Sequence, residues 1–422
     1  MFAFELWREF KLSLAEITAL FPEWKIVFCN EKILILDDIS KDKIFSKANN
    51  IGWTIKIIEV KEVFWDLESI LEDNLNLEWF EWKFNYAINI FGNQQILPPD
   101  KRGVRGGVKE LLKISKQVIK SFSLNPRFIN QDFKNISSVA IIKEALIKKA
   151  TDFNFIFNKD QIFFWHTVWV QNIYSYSNRD YGKDRDMNIG MLPPKLAQMM
   201  INIWMEKWKI ENNSPLPLGE GLGVRAKNYE KLEVKSIYDP FVWLGTVLIE
   251  AINMWITKIY WSDINDRMVK TSSENIKKLN DKIEFIDEIF MQNAKYIAEV
   301  DFLNQIDLIV TEWYLWEIMT KNNINFERIE KQKIKLNDLY EGFFSWLKKQ
   351  NFKWTLVISF PFWEIKWKYF YFEEIYDILN KYCKINKLLN DNLAFAETKS
   401  WSLLYKRDSQ HVGREIFSLK LK

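Results

Sequence analysis

The chain has 422 residues, 48% of them hydrophobic, with a formal net charge of +3. It is too long for one ordinary domain and apolar enough for real cores, and it is so mildly basic that charge alone neither requires nor excludes a nucleic-acid partner. Two distant cysteines, Cys29 and Cys383, exclude a disulfide framework, and His166 and His411 have no Cys or Asp at ligand spacing, so no metal is expected.

Residues 1–95 alternate short apolar strands (KIVFCN, KILILDD, TIKIIEV) with the amphipathic segment EFKLSLAEITALF, which predicts a small α+β module. Glu5, Arg8 and Glu9 interrupt the start where a signal peptide needs an unbroken apolar run, and the cytoplasm is the expected setting. Residues 96–175 read as a second α/β module: a helix over 108–121, the segment RFINQDF, the helix-like SSVAIIKEALIKKA, and strands at FNFIFN and IFFWHTVWVQ. Residues 176–205 form a linker, rich in charge and tyrosine, that leads into a helix opened by Pro193 and Pro194. Residues 206–422 make the last domain, with a Pro- and Gly-dense insertion at 214–225. From Lys235, strands and helices alternate (KSIYDPF, GTVLIEAINM, TKIYWSDI, NDRMVKTSSENIKKL, KYIAEVD, IDLIVTE, a helical stretch to about 350, TLVISFPF), which predicts an open, largely parallel sheet covered on both faces. The most apolar stretch, 240–261, contains Glu250 and Lys258 and is rejected as a membrane span.

Twenty Trp against 13 Gly inverts ordinary usage, in which Gly makes up about 7% of residues. Six of the glycines sit in 98–108 and 214–225. Several tryptophans stand at turns that favour a residue without a side chain: Trp24 after Phe-Pro-Glu, Trp53 after Gly52, Trp363 after Phe-Pro-Phe, and Trp243 inside a loop. The composition suggests UGA codons that the source reads as glycine. The competing reading is a Trp-rich carbohydrate binder with exposed aromatic platforms.

Asp239-Pro-Phe241-Val-Trp243-Leu-Gly245-Thr246 leaves a strand and enters a helix, and Asp263 closes the next strand. A glycine loop admits a cofactor to a helix N-terminus, and an acid at the end of the second strand accepts from ribose hydroxyls. A short loop lacking the full dinucleotide fingerprint suits S-adenosylmethionine better than NAD. Glu299 or Asp301, at the end of KYIAEVD, would hold the adenine amine, and a merely solvated strand end is the competing reading. In Ile306-Asp-Leu-Ile-Val-Thr311-Glu312-Trp313-Tyr314, a buried strand ends in polar groups and an aromatic. Methylating a base amine calls for acceptors for its hydrogens, here Thr311 or Glu312, and a stacking face, here Tyr314. A capped strand end with a packing tyrosine is the alternative.

With these motifs the chain resembles the THUMP-domain class I RNA methyltransferases, above all the family that methylates N2 of guanosine 10 in tRNA. The segment RDYGKDRDMNIGMLPPKLAQMMINI (179–203) resembles that family's junction. The resemblance implies a C-terminal Rossmann-like methyltransferase sheet preceded by ferredoxin-like and THUMP-like modules that grip tRNA. It also implies S-adenosylmethionine as methyl donor, in-line attack by the guanine amine, and RNA contacts from Arg179, Lys183, Arg185 and Lys195. The family carries Asp-Pro-Pro-Tyr where this chain has Thr311-Glu312-Trp313-Tyr314, so only Tyr314 carries over and Glu312 stands in for the displaced acid. Alternatives are a ribosomal RNA guanine or DNA adenine substrate, or an RNA binder without catalysis.

Overall fold

The computed structural model describes residues 1–63, 67–75, 80, 82–92, 108–130, 134–158, 161–184, 191–205, 236–256, 258–279, 288–291, 293–294, 303, 305–312 and 319–422. Arg185, Glu299, Asp301, Trp313 and Tyr314, and the 214–225 segment, lie outside the described residues. The chain divides into two compact units, one made largely of residues up to Tyr174 and the other largely of residues from Ser175 onward.

The first unit is built on one nine-stranded sheet: β1 (Phe2–Leu6), β2 (Lys25–Cys29), β3 (Ile33–Asp37), β4 (Thr54–Glu59), β5 (Lys61–Val63), β6 (Lys83–Gly92), β7 (Asn125–Phe128), β8 (Asp152–Asn158) and β9 (Gln161–Val170). Its order is β2-β3-β1-β4-β9-β8-β6-β7, with β5 on β9. β6 lies before the expected module boundary at 95, yet it pairs in parallel with β7 and β8 beyond it. The helix Val108–Ser121 presents Leu111, Val118 and Ile119 at helical spacing to Phe84, Tyr86 and Phe155. Residues 138–149, which read as one helix in sequence, form two short ones because Ala145 turns to φ 54°.

The second unit carries β10 (Ser236–Asp239), β11 (Lys258–Asp263), β12 (Glu288–Met291), β13 (Leu308–Glu312), β14 (Thr355–Ile365), β15 (Lys368–Tyr371), β16 (Cys383–Asn386), β17 (Leu403–Tyr405) and β18 (Val412–Leu421). The order is β12-β11-β10-β13-β14-β18-β16. The first five strands are parallel, and β18 runs antiparallel between β14 and β16. This is a Rossmann-like α/β sheet, parallel from β12 to β14 with one antiparallel strand inserted beyond β14. The strand order reverses at β10, so the carboxyl ends of β10, β11 and β13 form the crevice in which such sheets bind ligands. The strand beside β11 is Glu288–Met291, and the expected KYIAEVD strand, 295–301, lies outside the described residues. The charged and tyrosine-rich stretch expected as a linker forms a helix, Ile173–Gly182. The helix Phe326–Lys349 buries Leu336, Tyr340, Phe343, Phe344 and Leu347 against Tyr238, Ile309 and Phe360. Among the described residues no helix is long and apolar enough to cross a membrane.

The tryptophans sit poorly in this framework. Trp243, Trp255, Trp367 and Trp401 have φ of 52°, 66°, 67° and 58°, the left-handed region that costs a residue with a Cβ about 1–2 kcal/mol. Trp255 and Trp367 are 83% and 92% exposed, so little packing offsets that strain. Trp204, Trp261, Trp346 and Trp363 are buried with no acceptor for their indole N–H groups, about 1–3 kcal/mol each. Together these eight positions represent on the order of 10 kcal/mol, comparable to the whole stability of a domain.

Candidate active site

The loop after β10 is shaped by its own hydrogen bonds. The Asp239 carboxylate, buried at the strand end, accepts from the Phe241 N–H at 3.2 Å and from the Thr311 hydroxyl at 2.6 Å. Val242 N–H donates to the Ser262 carbonyl, and Trp243 N–H donates to Asp263 at 3.3 Å, tying the loop to β11. Gly245 ends the loop at φ 79° as the N-cap of the helix Thr246–Asn253, and an added Cβ would press on Ser272 at 3.3 Å. Asp263 also accepts from Asn265 N–H at 3.0 Å, which fixes its carboxylate at the mouth of the crevice.

Thr311 and Glu312 close β13, both buried. Glu312 Oε1 receives Arg414 Nε at 2.5 Å, and Arg414 Nη2 reaches the Met191 carbonyl at 3.4 Å. Three carboxyls thus converge: Asp239, Asp263 and Glu312. Burial pushes Asp239 up to about 7, opposed by its bonds from Thr311 and Phe241 and reinforced by the other two acids. Burial likewise raises Asp263, against its backbone hydrogen bonds, and raises Glu312, against the facing Arg414. Met191, Leu192, Asp239, Phe241, Trp243 and Glu312 border the same cavity.

Of the basic residues assigned to RNA, Arg179 and Lys183 are engaged inside the second unit. Arg179 binds buried Glu250 through Nε at 2.7 Å and Nη2 at 2.9 Å. Buried Lys183 donates to Thr246 Oγ1 at 2.6 Å. These bonds brace the helix Ile173–Gly182 and its C-terminal end against the helix Thr246–Asn253, a structural use that leaves neither cation facing outward. Lys195 is half-buried over the Tyr176 ring at 5.3 Å, and burial lowers it to about 8. The sequence reading missed Arg414 and Glu250. An arginine in a late strand carries no local motif, and the register that places Arg414 beside β14 appears only in the folded sheet.

The polar groups suit an adenosyl cofactor: a fixed acid at the end of β11 and a glycine-capped helix N-terminus. The cavity beside Trp243, which Asp263 does not line, is small. The cavity holds about 20 Å³, roughly the room needed by one water, whereas small-molecule sites are typically about 300–1,000 Å³. The Trp243 side chain lines this cavity and packs on the core beside it. Among the described residues no cluster of His, Cys, Asp and Glu could hold a metal ion.

No family model and no curated protein matches the sequence. Among solved structures, the chain is similar to TrmN from Thermus thermophilus at 12% identity and TM-score 0.46, covering 100% of this chain and 99% of that one. It is similar to NSun6 from Pyrococcus horikoshii with SFG at 14% identity and TM-score 0.30, over 44% of this chain and 47% of that one. Magnesium protoporphyrin IX methyltransferase from Synechocystis PCC 6803 with bound SAM matches at 12% identity and TM-score 0.30, over 60% and 92%.

Proposed function

We propose that the chain is an S-adenosylmethionine-dependent RNA methyltransferase whose substrate atom is the N2 amine of a guanosine in tRNA. The observation that carries this reading is the convergence of Asp239, Asp263, Thr311 and Glu312 at the carboxyl ends of β10, β11 and β13, around a loop capped by Gly245. Asp263 is the acid for the ribose hydroxyls of the cofactor. Glu312 is the acceptor for the hydrogens of the base amine: its carboxylate is held by Arg414 and lines the same cavity as Asp239. Thr311 spends its hydroxyl hydrogen on Asp239, so its part is to orient that acid. Tyr314, two residues beyond Glu312 in sequence, is the proposed stacking face. Rate would come mainly from positioning, which needs no metal.

The test is nucleoside mass spectrometry after incubation with S-adenosylmethionine and each of three unmodified substrates: tRNA, ribosomal RNA and DNA. N2-methylguanosine confined to tRNA supports the proposal. The same nucleoside confined to ribosomal RNA, or methyladenine in DNA, moves the substrate. No methylated nucleoside from a chain that binds tRNA makes it a binder without catalysis.

A further inference from the structure

We propose that position 243, and the other positions written as tryptophan, are glycine in the polypeptide that functions, because the source reads UGA as glycine. The part that concerns the cofactor rests on the methyltransferase reading; the part that concerns the residue does not.

Three independent observations meet here. The first is composition, with 20 Trp to 13 Gly. Counted together they make 33 of the 422 residues, close to the ordinary glycine share of about 7%. The second is backbone conformation. Among the described residues, four tryptophans adopt positive φ, and Trp243, Trp255 and Trp367 lie at turns. Among the described glycines only Gly92 and Gly245 do the same. Glycine enters that region without steric penalty, whereas bulky side chains rarely do. The third is chemistry in the interior. Buried indole N–H groups ordinarily find an acceptor, yet those of Trp204, Trp261, Trp346 and Trp363 have none. A genuinely Trp-rich binding protein would show the reverse pattern: exposed rings on unstrained backbone, and satisfied interior indoles.

Position 243 is where the substitution matters functionally. Its φ of 52° is a glycine conformation, its N–H ties the loop to Asp263, and its side chain lines the cavity of about 20 Å³. Glycine there keeps the backbone bond and removes the indole, opening space beside Asp239 and Glu312, which line the same cavity. Trp261, 1% exposed, stands on β11 two residues before Asp263. Removing the indole enlarges a cavity that, at about 20 Å³, is otherwise far below the volume of a small-molecule site.

The experiment has two arms. In the first, the protein is isolated from its source, digested with trypsin, and the peptides Ser236–Lys258 and Ile259–Arg267 are weighed and sequenced by mass spectrometry. Glycine at 243, 255 and 261 supports the proposal, as do UGA codons there in the gene. Tryptophan at 243, or a UGG codon, overturns it whatever the protein does. In the second, the chain as printed and a form with all twenty tryptophans changed to glycine are titrated with S-adenosylhomocysteine by calorimetry. Saturable binding by the glycine form alone, within the roughly micromolar to millimolar range of ordinary enzyme ligands, is the expected result. Equal binding by both forms overturns the claim that residue 243 gates the cavity. Glycine in the native peptides with no binding by a folded glycine form upholds the recoding and sinks the cofactor reading, so the two failures are distinguishable.

Discussion

Arg414→Met would strand Glu312 as a buried carboxylate without its cation. Arg414 is 7% exposed and Glu312 5%, with Nε 2.5 Å from Oε1. Breaking a buried pair from one side costs about 3–5 kcal/mol, against roughly 0–1 for an exposed pair. Burial raises the Glu312 carboxyl and Arg414 is the largest influence holding it down, with Lys183 and Arg407 acting more weakly in the same sense; Asp239 is the neighbouring acid. Without Arg414 the carboxyl rises further. An acid whose folded pKa is raised holds its proton more readily folded than unfolded, so stability falls as pH climbs from the unfolded value through the folded one. The deficit of the variant is therefore largest at neutral pH and shrinks toward about pH 4–5 as Glu312 takes up its proton. Urea unfolding of Arg414→Met, Glu312→Gln and the double variant closes the cycle, in the chain as printed and in the glycine form alike. The double variant should recover most of what Arg414→Met loses. A loss under about 1 kcal/mol at pH 7, or one that does not change with pH, would refute the reasoning.

Asp239, lifted to about 7 by burial, makes the unliganded chain less stable as pH rises from the ordinary carboxylate range to about 7. Asp239→Asn keeps the Oδ1 acceptor for Thr311 and should flatten that decline in a series of melting temperatures between those limits. Arg179→Ala should lower stability by about 3–5 kcal/mol by exposing Glu250 as an unpaired buried acid. If Arg179 braces the fold as its partners indicate, the slope of log affinity for tRNA against log salt stays unchanged; loss of a phosphate contact would reduce it by about 0.7–0.9. At Gly413 on β18 an added Cβ would overlap the ring of Phe362 on β14. Gly413→Ala should cost about 1–3 kcal/mol in urea unfolding, partly restored by Phe362→Leu.

The parts of the fold visible in the sequence were those with a strong local period. The 108–121 helix repeats apolar residues at helical spacing, and β10, β11 and β13 are short apolar runs ended by Asp239, Asp263 and Glu312. Elements set by their surroundings were not visible. The Ile173–Gly182 helix looks like a linker because half its residues are polar, and it is braced by Arg179 on Glu250 and by Lys183 just beyond its end on Thr246. β12 is four residues long and is defined by its pairing with β11. The helix expected over 138–149 broke at Ala145, a conformation no propensity scale favours there. At the site, the glycine loop and Asp263 were legible because they sit in one strand-turn-helix-strand stretch. Arg414 was not, because it reaches Glu312 across 102 residues of sequence through the antiparallel pairing of β14 with β18.

The most direct measurement is transfer of a labelled methyl group from S-adenosylmethionine to unmodified tRNA by the glycine form, with its Glu312→Gln variant run beside it. The account predicts label in the RNA, released on digestion as N2-methylguanosine, and a fall in the first-order rate with Glu312→Gln of about 100-fold or more. Label that never leaves the cofactor, from a folded chain that binds both cofactor and tRNA, would contradict it.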